Sequence, residues 1–130
     1  MIILGHRFIP DFKFFHISNI DTINNTPPNS SLFLEFDEDN LETIEYLQKN
    51  ELCFCLEVKD VTQIIYASAL GASYIMVEKE LAKIAQDLAN NYLFDAKILA
   101  KIEDEKDIEY FALIGVDGIL FSNAIIKIKS

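Results

Sequence analysis

Residues 32–37 read LFLEFD, a short apolar run that closes on Glu35 and is followed by a stretch in which apolar residues recur at helical spacing. The same phrase returns three times along the chain, as FCLEVK at 54–59, IMVEKE at 75–80 and LAKIED at 99–104. A fifth copy, GILFSN at 118–123, ends on asparagine instead of glutamate. Because strand-like and helix-like runs alternate at a short, regular period, the sequence predicts repeated βα units.

The predicted fold class is α/β with a mainly parallel sheet. Successive strands joined by right-handed crossovers lie parallel, and nearly continuous apolar runs are typical of parallel strands that are covered on both faces. Two packings fit the pattern: a partial TIM-like barrel, or an open three-layer sheet with helices on both faces. A complete barrel takes about 250 residues, whereas this chain has 130. We expect one α/β domain over residues 1–130.

The flanking segments predict further elements. Residues 2–4 read as a first strand, and 12–17 (FKFFHI) as a second, β-prone one. Ser18 is the expected cap of a short helix that ends at Ile23, and 24–31 (NNTPPNSS) is a loop.

The repeat helices carry their own start and stop signals. Asp60 is the expected cap of one helix, with Gln63 in capping-box position, and Asp104 the cap of another. Gly71 and Gly115 are the expected left-handed stops.

Composition excludes several function classes. The formal net charge is −10, which opposes binding to nucleic acids and to anionic membranes. The apolar runs are shorter than the ~20 residues that cross a bilayer, and the N-terminal residues do not resemble a secretory signal. We therefore expect a cytoplasmic protein. The two cysteines, Cys53 and Cys55, are expected to be buried thiols on one face of a strand.

The repeated glutamates form the first candidate site. Glu35, Glu57, Glu78 and Glu103 each close a predicted strand, and chemistry in parallel α/β proteins gathers at the carboxyl ends of strands. Carboxylates on adjacent strands about 5 Å apart would repel by roughly 3 kcal/mol. A divalent cation such as Mg²⁺, lysine partners, a proton shared between carboxylates, or splaying of the side chains into solvent must offset that repulsion. Two lysines, Lys59 and Lys101, lie two residues from glutamates of the row.

The first 60 residues resemble the glycerophosphodiester phosphodiesterases. The resemblance rests on Gly5-His6-Arg7, then Glu35-Phe36-Asp37, then Glu57-Val58-Lys59, in that order. It implies a TIM-barrel fold with His6 in acid–base catalysis. It also implies a divalent metal on Glu35, Asp37 and Glu57, with Arg7 and Lys59 facing phosphate.

The C-terminal part, residues 99–123, is similar to the metal-binding strands of pyruvate kinase and related barrels. Lys101-Ile102-Glu103 matches the lysine and the metal-binding glutamate of that family. The resemblance implies a catalytic role for Lys101 and a metal on Glu103. The aspartate that would complete the metal site falls at or near Asn123.

Two function classes follow. The leading one is a non-catalytic module that self-associates or binds a protein partner, favoured by the short chain and the degenerate fifth repeat. A partial barrel would leave an apolar sheet face uncovered, so we expect a homodimer. The alternative is a divalent-metal-dependent enzyme acting on a phosphate ester or small oxoacid, with His6 and Lys101 as the candidate catalytic residues.

Overall fold

A computed structural model describes residues 1–9 and 13–128. The described part holds eight strands, all parallel to their neighbours. The strands are β1 (Ile2–Leu4), β2 (Phe14–His16), β3 (Ser31–Glu35), β4 (Phe54–Glu57), β5 (Tyr74–Val77), β6 (Lys97–Ile102), β7 (Gly118–Phe121) and β8 (Ile125–Lys127). The helices are α1 (Ile20–Ile23), α2 (Leu41–Lys49), α3 (Val61–Ala69), α4 (Lys79–Tyr92) and α5 (Ile108–Ile114). The α/β class with a parallel sheet is confirmed.

The sheet is curled, so the partial barrel is the packing that the chain adopts. Its strand order is β1-β7-β6-β5-β4-β3-β2-β8, which places β7 and β8 six positions apart. In a flat sheet that separation would be about 29 Å. Yet only the short turn Ser122–Ala124 joins these strands, and a linker of that length spans at most roughly 15 Å. The two ends of the sheet must therefore approach each other.

Side chains on the concave face meet across the barrel. The rings of Phe14 on β2 and Tyr74 on β5 lie 5.4 Å apart, although a flat sheet would hold strands three positions apart at about 14 Å. We call the buried concave residues the inner core: Leu4, Phe14, Phe33, Cys55, Met76, Leu99, Leu120 and Ala124.

The convex face packs against the helices and forms a second, larger core. Its buried members include Leu34, Leu56 and Ile75 from the strands and Ile44 and Ile64 from the helices. Both faces of the sheet are thus covered by the chain's own side chains. The uncovered face from which a homodimer was expected is absent among the described residues, and the oligomeric state itself stays a prediction.

Most helix signals act as expected, with local differences. Asp60 Oδ1 accepts from the Gln63 N–H at 2.8 Å, and Gly71 has a φ of +85° just after α3. The Gln63 side chain accepts from the Lys59 N–H, one residue outside a standard capping box. Asp104 caps a single 3₁₀ turn (Glu105–Asp107) that precedes α5, and Gly115 ends α5 with a φ of +78°.

The N-terminal predictions need two corrections. The cap of α1 is Asn19, not Ser18, because the Asn19 Oδ1 accepts from the Thr22 N–H while the Thr22 hydroxyl accepts from the Asn19 N–H. This reciprocal pair satisfies two N–H groups at the helix start. The predicted second strand is shorter than expected, and Phe12, where it was predicted to begin, lies outside the described residues.

Candidate functional site at the barrel mouth

The strand register decides which of the repeated glutamates come together. Glu35 on β3 pairs with Glu57 on β4, and Glu57 in turn pairs with Met76 on β5. Met76 pairs with Leu99 on β6, so at the level of the first two glutamates the next two strands present apolar residues. Tilted, staggered strands are a requirement of any curling parallel sheet. The four carboxylates therefore do not form the expected single row, because the strands that carry them are staggered.

Glu78 and Glu103 lie beyond the level of Glu35 and Glu57, directly after the last residues of β5 and β6. Glu78 is the first residue before α4, and its Oε1 lies 3.6 Å from Lys101 Nζ. Glu103 follows the end of β6 and lies among the residues around His6 and Arg7. The lysine partner expected for the glutamates is thus observed for Glu78, but it comes from the neighbouring strand.

A cavity of about 240 Å³ opens at the carboxyl ends of the strands. We call it the rim pocket. Its charged and polar lining consists of His16, Glu35, Glu57, Lys101, Ser122 and Lys127, and its apolar lining consists of Phe33, Met76, Leu120 and Ile125. Three of the apolar residues belong to the inner core, so the pocket is the open end of the packed barrel interior.

His16 and Glu35 form the closest polar pair in the rim pocket. The Nε2 atom of His16 lies 2.6 Å from Oε1 of Glu35, and the two side chains are 23% and 42% exposed. The Phe33 ring meets the imidazole edge-on at a centroid distance of 5.2 Å and fixes its tilt. Among the described residues, the other ring nitrogen of His16 has no hydrogen-bond partner. The His16 imidazole is therefore paired at Nε2, while its Nδ1 is available to a ligand.

His6, the predicted acid–base residue, is engaged at both ring nitrogens. Its Nδ1 accepts from the Phe8 N–H at 3.1 Å, and its Nε2 lies 2.7 Å from Glu105 Oε1. An imidazole that accepts at Nδ1 donates at Nε2, so the two bonds together define one neutral tautomer. This arrangement makes His6 a clamp between the segment after β1 and the turn before α5.

Other predicted residues lie apart from the rim pocket. Asp37 caps the 3₁₀ turn at the start of α2, where its Oδ1 accepts from the Asp39 N–H. The Arg7 guanidinium lies over the Phe8 ring, 4.4 Å from the centroid. Lys59 is exposed beside the cap of α3.

The donor set does not fit the divalent cation that the glutamates suggested. Within residues 1–9 and 13–128, no group of three or more His, Cys, Asp or Glu side chains is placed so that it could hold a metal ion. The stagger of the strands explains this, because it separates Glu78 and Glu103 from the level of Glu35 and Glu57. Lys101 and Lys127 instead bring positive charge to the pocket.

Three of the polar pocket residues were not predicted as site residues: His16, Ser122 and Lys127. His16 lies in an aromatic run, and its position at the end of β2 is the same strand-end signal that singled out the glutamates. Lys127 lies on β8, which follows β7 after a single turn. Because βα repeats imply a helix between strands, the sequence pattern gave no sign of β8.

Fold and site together define the class of protein: a small, parallel βα partial barrel with a charged pocket at the carboxyl ends of its strands. No known family model matches the chain, and no curated protein is similar to it in sequence. The two resemblances therefore rest on their short motifs alone. In the described part of the chain, no helix is both long and apolar enough to cross a membrane.

Proposed function

We propose that the rim pocket binds a small anionic molecule, a phosphate ester or a small oxoacid, and that His16 transfers a proton there. The observation that carries this proposal is the convergence of Lys101, Lys127 and the His16–Glu35 pair on one cavity. This is the catalytic alternative that the sequence suggested, with a different histidine and without the divalent cation.

Charge supports an anionic ligand. The chain as a whole carries −10, whereas in the rim pocket two lysines balance the two carboxylates of Glu35 and Glu57, so the pocket is less acidic than the rest of the chain. Lys101 is only one-third exposed, and within residues 1–9 and 13–128 its ion pair is with Glu78. Lys127 is exposed and Lys101 is partly buried. An anion bound beside these two ammonium groups would make charge-assisted contacts, which are about twice as strong as neutral ones, and these would have to exceed its repulsion from Glu35 and Glu57.

The His16–Glu35 pair supports proton transfer. A carboxylate beside one ring nitrogen orients the imidazole, while the other nitrogen exchanges protons with the ligand. Glu35 is in this reading a positioning residue. The apolar floor of Phe33 and Met76 limits the ligand to a molecule that fills about 240 Å³.

Binding of inorganic phosphate and of oxalate, measured by chemical-shift titration of the intact protein, tests the proposal. We expect saturable shifts at His16 and Ser122, and a loss of affinity of about tenfold in Lys101→Gln or Lys127→Gln, since a charge-assisted contact contributes roughly 1.5 kcal/mol or more. Lys83→Gln is the matched control, because Lys83 is exposed on α4, pairs with Asp87 and does not line the rim pocket. Equal binding by all three variants would contradict the proposal.

A metal titration separates this proposal from the metal-dependent enzyme. Because the carboxylates are not gathered for a cation, we expect Mg²⁺ and Mn²⁺ to leave the melting temperature unchanged in the absence of the anion. Stabilisation that disappears in Glu35→Gln or Glu57→Gln would favour the metal site instead.

The second candidate function is the non-catalytic module that self-associates or binds a partner. It is favoured by exposed apolar side chains between α2 and α3, among them Leu41 at 37% and Tyr66 at 53% exposure. Sedimentation velocity tests self-association: the expected homodimer would appear at micromolar concentration, and a monomer would exclude it.

A cytoplasmic location is also proposed, supported by the two free thiols Cys53 and Cys55.

A further inference from the structure

A groove on the convex side of the barrel is separate from the rim pocket. It has a volume of about 370 Å³ and lies between α2 and α3, within the usual range of about 300–1,000 Å³ for ligand pockets. We call it the apolar groove, and its lining consists of Phe36, Glu38, Leu41, Tyr66, Ala69 and Leu70. The rings of Phe36 and Tyr66 stack at 6.1 Å across its floor.

The two walls of the apolar groove differ in charge. Helix α3 reads VTQIIYASA and has no charged side chain, while its Val61 and Ile65 are 42% and 38% exposed. The other wall is acidic. Glu38 lines it directly, and Glu45 lies on the face of α2 that carries Leu41, one turn along. Gln48 continues this face and lies next to Gly71 at the end of α3.

We propose that the apolar groove docks an amphipathic helix of another protein, with leucine-like anchors facing α3 and lysine or arginine residues facing Glu38 and Glu45. An apolar strip beside an acidic strip is complementary to a basic amphipathic helix, which binds by inserting residues at i, i+3 and i+4. A second copy of this chain fits less well, because it brings the same acidic wall and a net charge of −10. The proposal rests on the partner-binding function proposed above, and it specifies the partner as a basic amphipathic helix.

The test uses the full chain and a fluorescent leucine/lysine peptide of about 18 residues with helical amphipathicity, titrated by anisotropy. We expect binding that weakens about tenfold in Tyr66→Ser and in Leu41→Ser. Glu38→Gln should weaken binding less and flatten its salt dependence. Tyr92→Ser and Glu80→Gln are matched controls, since both residues are exposed on α4, away from the apolar groove, and should leave the affinity within about twofold.

Four outcomes would overturn the inference. If all variants bind equally, the peptide is attracted by net charge alone. If a leucine/glutamate peptide binds as well as the lysine one, the acidic wall selects nothing. If the lysine peptide does not bind but the wild type forms a dimer that Tyr66→Ser disrupts, the occupant is a second copy; the module then stands and the basic partner fails. If neither binding nor a dimer is seen, both proposals fail.

Discussion

His6 follows β1 and His16 ends β2, so both lie at carboxyl ends of strands, but they differ in what their ring nitrogens contact. His6 is bonded at both nitrogens, to Phe8 and Glu105, and holds two loops together. His16 is paired at one nitrogen with Glu35 and opens into the rim pocket. At the scale of a single residue, the contacts of the imidazole, not its place in a motif, decide which histidine is suited to proton transfer.

Cys55 provides a prediction at the residue scale. Burial raises the pKa of its thiol well above the ordinary value of 9.0, and the nearby Cys53 and Glu57 raise it further. The folded state therefore keeps the proton that the unfolded state releases. The resulting stability is fully present below pH 9 and is lost as the pH rises above it, by up to about 1.4 kcal/mol per pH unit.

Urea unfolding as a function of pH measures this loss. Cys55→Ala removes the titrating group, so its stability should fall less steeply than that of the wild type between about pH 8.5 and 10.5. Cys53→Ala is the control, because it leaves the buried Cys55 thiol in place, so its stability should still fall more steeply with pH than that of Cys55→Ala. Parallel profiles for Cys55→Ala and the wild type would contradict the assignment.

At the scale of the element, the strands and their order along the chain could be predicted, because apolar runs and helix stops are local. The stagger between strands could not. It follows from the register of Glu35 with Glu57 and of Glu57 with Met76, and register depends on how the whole sheet curls. The same limit applies to α4: its apolar spacing does not show which side is buried, since Ala82, Ala85, Gln86 and Ala89 are buried whereas Ile84 is 47% exposed.

Gly5 marks the place where β1 meets the turn between β7 and β8. Its φ is +87°, and a Cβ there would lie 3.1 Å from both the backbone nitrogen and the Cβ of Ala124. Gly115 has a similar φ of +78°, but among the described residues nothing lies within 4 Å of its Cβ position. Both alanine variants share the backbone strain of roughly 1–2 kcal/mol.

Gly5→Ala should therefore destabilise the protein by roughly 1–3 kcal/mol more than Gly115→Ala, because only the Gly5 variant forces a Cβ against Ala124, in the turn between β7 and β8. The measurement is the free energy of unfolding of the two variants in urea. Equal losses would mean that the ends of the sheet are not in contact at this glycine.

Gln86 and Asp117 connect α4 to the segment just before β7 through hydrogen bonds. The Gln86 Oε1 accepts from the Asp117 N–H at 2.8 Å, and Asp117 Oδ2 accepts from the Ile98 N–H at 2.9 Å. Gln86 is 3% exposed, so water cannot readily replace its oxygen.

Gln86→Leu should lower the free energy of unfolding by roughly 1–3 kcal/mol, the cost of leaving a buried N–H without an acceptor. Asn90→Ala is the control: Asn90 accepts from the Gln86 Nε2 at 3.0 Å but is exposed, so solvent can take its place. A loss from Asn90→Ala as large as that from Gln86→Leu would contradict this role for Gln86.

At the scale of the whole molecule, the sequence predicted repeated βα units and a chain too short for a standard barrel. It did not predict β8, which follows β7 after one turn and pairs with β2. That extra strand brings the two ends of the sheet together, and with them His16, Lys127 and Lys101. The candidate site is a property of the curl, so local sequence patterns could indicate only some of its residues.

The most direct test of the curl is an NMR measurement of contacts between the rings of Phe14 and Tyr74. Their centroids lie 5.4 Å apart across the barrel interior, so ring-to-ring NOEs should be observed within one molecule. Isotope-filtered spectra of a mixed labelled and unlabelled sample exclude contacts between molecules. Intramolecular NOEs between these rings are the expected result. Their absence, or their appearance only between molecules, would mean that the sheet is open and that the rim pocket does not form within a single chain.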